Sequence, residues 1–308
     1  MAAAGDRVAV ARPARAKINL YLHLLGRRAD GYHLLDSLIV FAEAGDEIRV
    51  APADRLSLAL EGAFAETLAA ALEDPEDNLV LRAARALADT ASVEAGAQID
   101  LQKRLPPAAG IGGGSSDAAA VLLALAELWR LELEPEALAR LGLGLGADVP
   151  ACLAQPESVF VGGVGEQVLA APVLPPAAVL LVNPGIALAT AEVFRTFDGN
   201  WSAPARFETA PADAAGLAHL LAARSNDLER AAISLAPEVA EVLALLDGLP
   251  EVLFARMSGS GATCFALFAE LAAARRAEVA LAAARPGWWV LAARLAPAAS
   301  RGPGGIGL

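Results

Sequence analysis

In residues 105–125, LPPAAGIGGGSSDAAAVLLAL, four glycines and two serines fall between Gly110 and Ser116, and an alanine-rich apolar run follows at once. Glycine this dense costs backbone entropy, and a loop that only had to turn needs one or two. The apolar run predicts a helix entered directly from the loop. Free N–H groups at that helix start, with the macrodipole, make an anion site, and glycines let a phosphate approach the backbone without meeting a Cβ. The loop therefore reads as a phosphate cradle, the alternative being a flexible turn before a core helix. It is neither common nucleotide loop. The P-loop needs Lys-Ser/Thr after its last glycine, where this chain has Ser115-Ser116-Asp117. The dinucleotide fingerprint fails because Ser115 stands three positions after Gly112.

Working outward, residues 14–25 (ARAKINLYLHLL) alternate with Ile18, Leu20, Leu22 and Leu24 on one face, which predicts a strand. Lys17 shares the opposite face with Arg15 and Asn19. GRRADGYH (26–33) is a turn around Asp30-Gly31, and LLDSLIVF, DEIRVAP and RLSLALEG read as further separate strands. Asn78 caps a helix running to about Ala91; AQIDLQK is a strand and EPEALARLGLGL a helix. After proline-rich VLAAPVLPPAA come the strand AVLLVNPG and helices near 189–198, 213–232 and 236–247. FARMSGSGATCFALF reads as a strand broken by a second glycine loop, followed by the helix ELAAARRAEVALAAA and the strand WWVLAARL. The tail SRGPGGIGL is expected to be disordered. Strands and helices mix without regular βαβ alternation, so the fold class is α+β.

At 308 residues the chain is long for one core, which predicts two domains, 1–160 and 161–308. With 56% hydrophobic and 19% charged residues it is a folded globule. The longest uncharged stretch, from Gln167 to Ala191, is interrupted by Pro172, Pro175, Pro176 and Pro184 and is not a membrane span. The opening MAAAGDRVAV has no apolar signal core, so a cytoplasmic protein is expected. Cys152 and Cys264 are too few for a disulfide framework and make a poor metal site. The net charge of −12 argues against nucleic acid as a partner, and any small anionic ligand needs a local positive field.

The run Pro106 to Ser116 resembles the nucleotide loop of the superfamily of galactokinase, homoserine kinase, mevalonate kinase and phosphomevalonate kinase, the GHMP kinases. MSGSGATCFALF (257–268) resembles that superfamily's third motif. AKINLYLHLLGRRADGYHLLDSL, DNLVLRAA, LGADVP and PESVFVGGVGE resemble the branch that phosphorylates a cytidine diphosphate conjugate of methylerythritol. The resemblance runs from about Ala14 to Phe268. It implies an N-terminal domain like the second domain of ribosomal protein S5, a ferredoxin-like C-terminal domain, an active site between them, and ATP with Mg²⁺.

Residue by residue, Asp148 reads by itself as a turn-closing carboxylate, and the resemblance makes it the catalytic base. Lys17 reads as part of a solvated strand face, and the resemblance makes it the partner of Asp148, stabilising charge on the transferred group. For the nucleotide the resemblance implies Pro106, Gly110, Ile111, Gly112, Gly113, Gly114, Ser115 and Ser116, with Asn78 and Lys103 on the adenosine side. By themselves these last two are a helix cap and a solvated strand-end lysine. For the substrate it implies Asn19, Tyr32 and His33, the latter two at the cytosine and otherwise packing residues. Thr190 and Phe194 follow from a looser match, and Gly259, Ser260 and Gly261 otherwise form a bulge or hairpin. Asp117 stands where many superfamily members have alanine, and the metal ligand is open between Ser115, Ser116 and water. His23 and His219 carry no motif. The expected activity is phosphorylation of a hydroxyl of the cytidine conjugate. Two alternatives are another kinase of the superfamily and a nucleotide-binding regulator without chemistry.

Overall fold

The computed structural model describes residues 9–297; the tail expected to be disordered lies outside them. In chain order the elements are β1 (Val10–Arg27), β2 (His33–Ala53), β3 (Ser57–Glu61), α1 (Ala65–Ala70), α2 (Leu79–Ala91), β4 (Gly96–Gln102), α3 (Gly113–Trp129), α4 (Pro135–Leu145), α5 (Val149–Leu153), β5 (Val159–Gly163) and β6 (Gln167–Ala170). They continue with β7 (Ala178–Asn183), α6 (Thr190–Thr196), α7 (Ala214–Ala222), α8 (Glu229–Leu235), α9 (Glu238–Asp247), β8 (Phe254–Met257), β9 (Cys264–Phe268), α10 (Leu271–Ala284) and β10 (Trp289–Arg294).

The first sheet is organised by β2. One edge of β2 pairs antiparallel with β1, and the other carries β5 along Leu35–Ile39 and β4 along Glu47–Ala53. β3 lies parallel to β4 and β6 antiparallel to β5. The second sheet, in order β10-β7-β9-β8, is wholly antiparallel and has the ferredoxin-like arrangement.

Period-two alternation assigns the faces. Ile39, Phe41, Ile48 and Val50 of β2 pack under α2, α3 and α5, whereas Leu38 and Val40 turn to the other face. There, with Ile18 and Leu20 of β1, they meet Val179 and Leu181 of β7, Phe265 and Leu267 of β9, and Leu217 and Leu221 of α7. The remaining face of the second sheet, through Leu180, Val182, Ala266 and Phe268, is closed by α8, α9 and α10. α3 starts at Gly112, whose φ of +62° suits glycine, and ends on Arg130 in the left-handed conformation, with Leu131 N donating to Ala126 O at 2.8 Å. Its small residues Ala118–Ala120 and Ala124 are buried, which brings the helix close onto the sheet.

The structure departs from the sequence reading in several places. LLDSLIVF and DEIRVAP form one strand, because the intervening residues stay paired with β1 across an irregularity between Arg15 and Lys17. The expected helix 213–232 is two, α7 and α8, separated where Asn226 bridges to Leu22 and caps Leu228 N at 3.1 Å. PESVFVGGVGE becomes the β5–β6 hairpin on β2, and the chain passes to the second sheet between Ala170 and Ala178. Among the described residues no helix is long and apolar enough to cross a membrane.

Candidate active site

A cleft of about 750 Å³ opens between the two sheets and the loop before α3. Lys17 is held in its wall from both ends. Its backbone N donates to Ile111 O at 2.9 Å, and Ser116 Oγ donates to Arg15 O at 2.7 Å, fixing β1 to the glycine loop. Its stem lies under Gly112, where a Cβ would come 2.9 Å from Cε. The ammonium then emerges to donate to Asp148 Oδ2 at 2.9 Å and Asn19 Oδ1 at 3.0 Å. Lys17 is therefore no solvated strand lysine: its side chain is 4% exposed, against 47% for Asp148. Asn19 is oriented in turn, its Nδ2 donating to Ser37 Oγ at 2.8 Å. Asp148 caps α5 without a side-chain hydrogen bond to that helix, so its carboxylate faces Lys17 and the cleft.

The two glycine loops touch backbone to backbone. A Cβ on Gly110 would sit 2.5 Å from Gly261 O and 2.7 Å from Ser258 O. Ser258 Oγ accepts from Asn19 N at 3.1 Å and donates to Gly110 O at 3.2 Å, and Thr263 N donates to Ala109 O at 3.2 Å. Asn226 steadies the second loop by donating to Met257 O at 2.9 Å and Gly259 O at 2.8 Å. Ser260 Oγ lies 2.9 Å from Thr190 Oγ1, tying the loop to α6.

Of the residues expected from sequence, Lys17, Asn19, Tyr32, His33, Gly110, Gly112, Gly113, Gly114, Ser115, Asp148, Thr190, Phe194, Gly259 and Ser260 line this one cleft. Pro106, Ile111 and Ser116 are buried behind the loop, and Gly261 lies against Gly110. Ser116 Oγ already bonds Arg15 O and contacts Cys152 Sγ at 3.3 Å, which leaves Ser115 as the serine facing the cleft. Asn78 caps α2, its Oδ1 accepting from Val80 N at 2.9 Å, while its neighbour Leu79 lines the cleft.

Lys103 is buried beneath the loop. Its ammonium bonds Asp46 Oδ2 at 2.5 Å and Asp117 Oδ2 at 2.7 Å, with Nζ 3.1 Å from where a Gly113 Cβ would be. Burial works against its charge, but Asp117 and Asp46 outweigh it and the pKa is raised. Burial pushes the Asp117 carboxyl up to about 7 against the pull of Lys103, and Asp117 Oδ1 has no hydrogen-bond partner. At the cleft's other end the His33 ring packs against Phe194, centroids 5.2 Å apart, and burial, then Arg27, lowers its pKa.

The positive field that the acidic chain requires comes from Lys17, Arg27 and Arg195 in the cleft wall and from the start of α3. Sequence reasoning missed Ser258 and Asn226, although Ser258 lies inside the glycine motif itself. Among the described residues no group of three His, Cys, Asp or Glu side chains could hold a metal ion by itself. A hard dication that keeps its waters needs only oxygen donors beside phosphate, and Ser115 offers one in the cleft at the start of α3.

Residues 78–155 match the family model of the GHMP kinases N terminal domain, and residues 210–286 that of the GHMP kinases C terminal domain. The chain is 51% identical to the 4-diphosphocytidyl-2-C-methyl-D-erythritol kinase of Paramagnetospirillum magneticum, covering 92% of this chain and 97% of that protein. It is 55% identical to the kinase of the same description from Cereibacter sphaeroides, covering 92% and 98%. A crystal structure of 4-(cytidine 5'-diphospho)-2C-methyl-D-erythritol kinase superposes with a TM-score of 0.74 at 34% identity, over 93% of this chain and 99% of that one. Homoserine kinase from Cytophaga hutchinsonii, at 18% identity and a TM-score of 0.70 over 96% of each chain, shares the fold.

Proposed function

The chain belongs to the GHMP kinases, in their 4-diphosphocytidyl-2-C-methyl-D-erythritol kinase branch, and from that premise we propose how its cleft carries out the reaction. The activity is ATP-dependent phosphorylation of 4-diphosphocytidyl-2-C-methyl-D-erythritol, a step of isoprenoid precursor synthesis by the non-mevalonate route. The acceptor is the 2-hydroxyl. The observation that carries the mechanism is the Lys17–Asp148 pair, 2.9 Å long, in the cleft that also contains the start of α3.

The triphosphate lies along the backbone of Gly112–Ser115, where unpaired N–H groups and the helix dipole meet negative charge. Asp148 orients the acceptor hydroxyl and takes its proton as the oxygen attacks the terminal phosphorus and the bond to ADP breaks. Lys17, fixed on both sides, meets the charge that develops on the transferred group without having to reorganise. Asn19 and Ser260 hold the alcohol, and Tyr32, His33 and Phe194 surround the cytosine. Ser115 would hold Mg²⁺ beside the triphosphate, where the ion would supply neutralisation of phosphate charge.

A mass-spectrometric screen of candidate alcohols with ATP and Mg²⁺ tests the reading. The cytidine conjugate is phosphorylated, whereas free methylerythritol phosphate and mevalonate are not. Asp148→Asn lowers turnover by roughly two to four decades with ATP affinity retained. Near-normal turnover in that variant reduces Asp148 to a cap of α5.

A further inference from the structure

His33 is oriented without a hydrogen bond. Among the described residues no group bonds either of its ring nitrogens; instead three aromatic rings surround it. Phe194 lies on the cleft side. Trp201 sits with its centroid 5.7 Å from the imidazole and its plane tilted by 38°, and Phe197 meets the ring edge-on at 6.0 Å. Phe197 and Trp201 also brace each other at 5.1 Å. Neither of them lines the cleft.

The segment that brings Trp201 to this place is tied to the first sheet. Ser202 N donates to Leu24 O at 2.9 Å, Ala203 O lies 2.8 Å from His23 Nδ1, and Arg206 Nε donates to Asp36 Oδ1 at 2.8 Å. Ser202 Oγ donates to Asp227 Oδ1 at 3.0 Å, and Leu24 N donates to Asp227 Oδ2 at 2.7 Å, so strand, segment and second domain close on one carboxylate. Trp201 is 44% exposed yet immediately precedes this tethered segment. Trp201 thus stands partly in water, next to a tethered segment, and packs on Phe197 and on a ring that faces the cleft.

We infer that Trp201 is a positioning residue for His33: its indole backs the imidazole, fixes the ring plane, and leaves both ring nitrogens for the edge of the substrate's base. This rests on the reading of the His33 end of the cleft as the cytosine site. An imidazole reads a base edge only when its rotamer is fixed, and a partner on the second nitrogen usually does that. Here ring packing replaces that partner. It predicts discrimination between substrates and leaves phosphoryl transfer alone, because Trp201 is remote from Lys17 and Asp148.

The test is a cycle of Trp201→Ala, Trp201→Phe, His33→Ala and the His33→Ala/Trp201→Ala double variant, with the KM of each substrate measured in turn. An aromatic contact of this kind corresponds to roughly a 3- to 10-fold change in an equilibrium constant. Trp201→Ala therefore raises KM for the cytidine conjugate about 3- to 10-fold, with kcat and KM for ATP unchanged. Trp201→Phe, which restores a ring, recovers most of the loss. In the His33→Ala background, removing Trp201 adds nothing. An unchanged KM in Trp201→Ala, or an undiminished effect of Trp201 once His33 is gone, overturns the inference while the cytosine assignment stands. If His33→Ala itself leaves KM for the conjugate unchanged, the cytosine assignment is lost and the inference with it.

Discussion

A single methyl group at Gly110 tests whether the two glycine loops work as one part. Gly110 has φ of +74°, and a Cβ there would lie 2.5 Å from Gly261 O, 2.7 Å from Gly261 N and 2.7 Å from Ser258 O. All three are backbone atoms, so no side chain can swing aside. Left-handed backbone in a residue with a Cβ costs about 1–2 kcal/mol. Forcing an extra carbon into a packed contact costs about 1–3 kcal/mol more. Gly110→Ala is thus expected to lose about 2–5 kcal/mol, or on the order of 5–10 °C in Tm for a chain of this size. The loops also separate: Gly110 belongs to the first glycine loop and Gly259 to the opposite wall of the cleft, and an ångström of misplacement is worth roughly a hundredfold in rate. The comparison is Gly114→Ala, where a Cβ meets nothing within 4 Å. That variant should melt within about 1 °C of wild type, since an unhindered substitution stays within roughly 0.5 kcal/mol. Thermal melts and steady-state kinetics on both variants decide the matter. A Gly110→Ala protein with wild-type Tm and kcat would refute the argument that close contact between the loops builds the cleft.

Asp117 gives stability a pH dependence: with its pKa raised from 3.8 to about 7 by burial, its contribution is complete below pH 4 and is lost as pH rises through 7. Asp117→Asn, which keeps an acceptor for Lys103, should flatten the urea-midpoint profile between those limits, and an unchanged slope would show that Asp117 does not titrate there. Asn226→Ala strands the carbonyls of Met257 and Gly259, at a cost of about 1–3 kcal/mol in chemical denaturation; a variant as stable as wild type would show that the second loop holds itself.

Periodicity and residue order carried most of the fold. The alternation around Lys17 and the Asn78 cap are local signals and lie where they were read, and the helix expected after the glycine loop begins within that loop, at Gly113. What stayed hidden depends on partners distant in the chain. Lys103 ends a strand in sequence, but Asp46 and Asp117 enclose it, and neither carboxylate can be located from the residues beside Lys103. The glycines were read as space for a phosphate. Two of them are required by the protein itself: Gly110 by the second loop and Gly112 by its left-handed backbone and the stem of Lys17; a Cβ on Gly113 would only crowd Lys103 Nζ, and Gly114 borders open space. Asp148 looked like a turn residue because its sequence neighbours only describe a turn; its partner Lys17 stands 131 positions away. Trp201 and Asn226 had no motif around them: Trp201 meets His33 in the other domain, and Asn226 bonds Met257 O, 31 positions away in the chain.

The apolar face of β1 and β2 that carries Ile18, Leu20, Leu38 and Val40 has a history in the cell as well as a place in the core. Those residues leave the ribosome before the residues that cover them, Val179, Leu181, Leu217, Leu221, Phe265 and Leu267. At about 5–20 residues per second, the interval between Val40 and Leu267 is on the order of 10–45 s. Throughout it the nascent chain offers a half-finished sheet with one greasy side to the cytosol. A fragment stopped after β6 should therefore be captured by nascent-chain chaperones and precipitate when released, although its own helices already cover the opposite face.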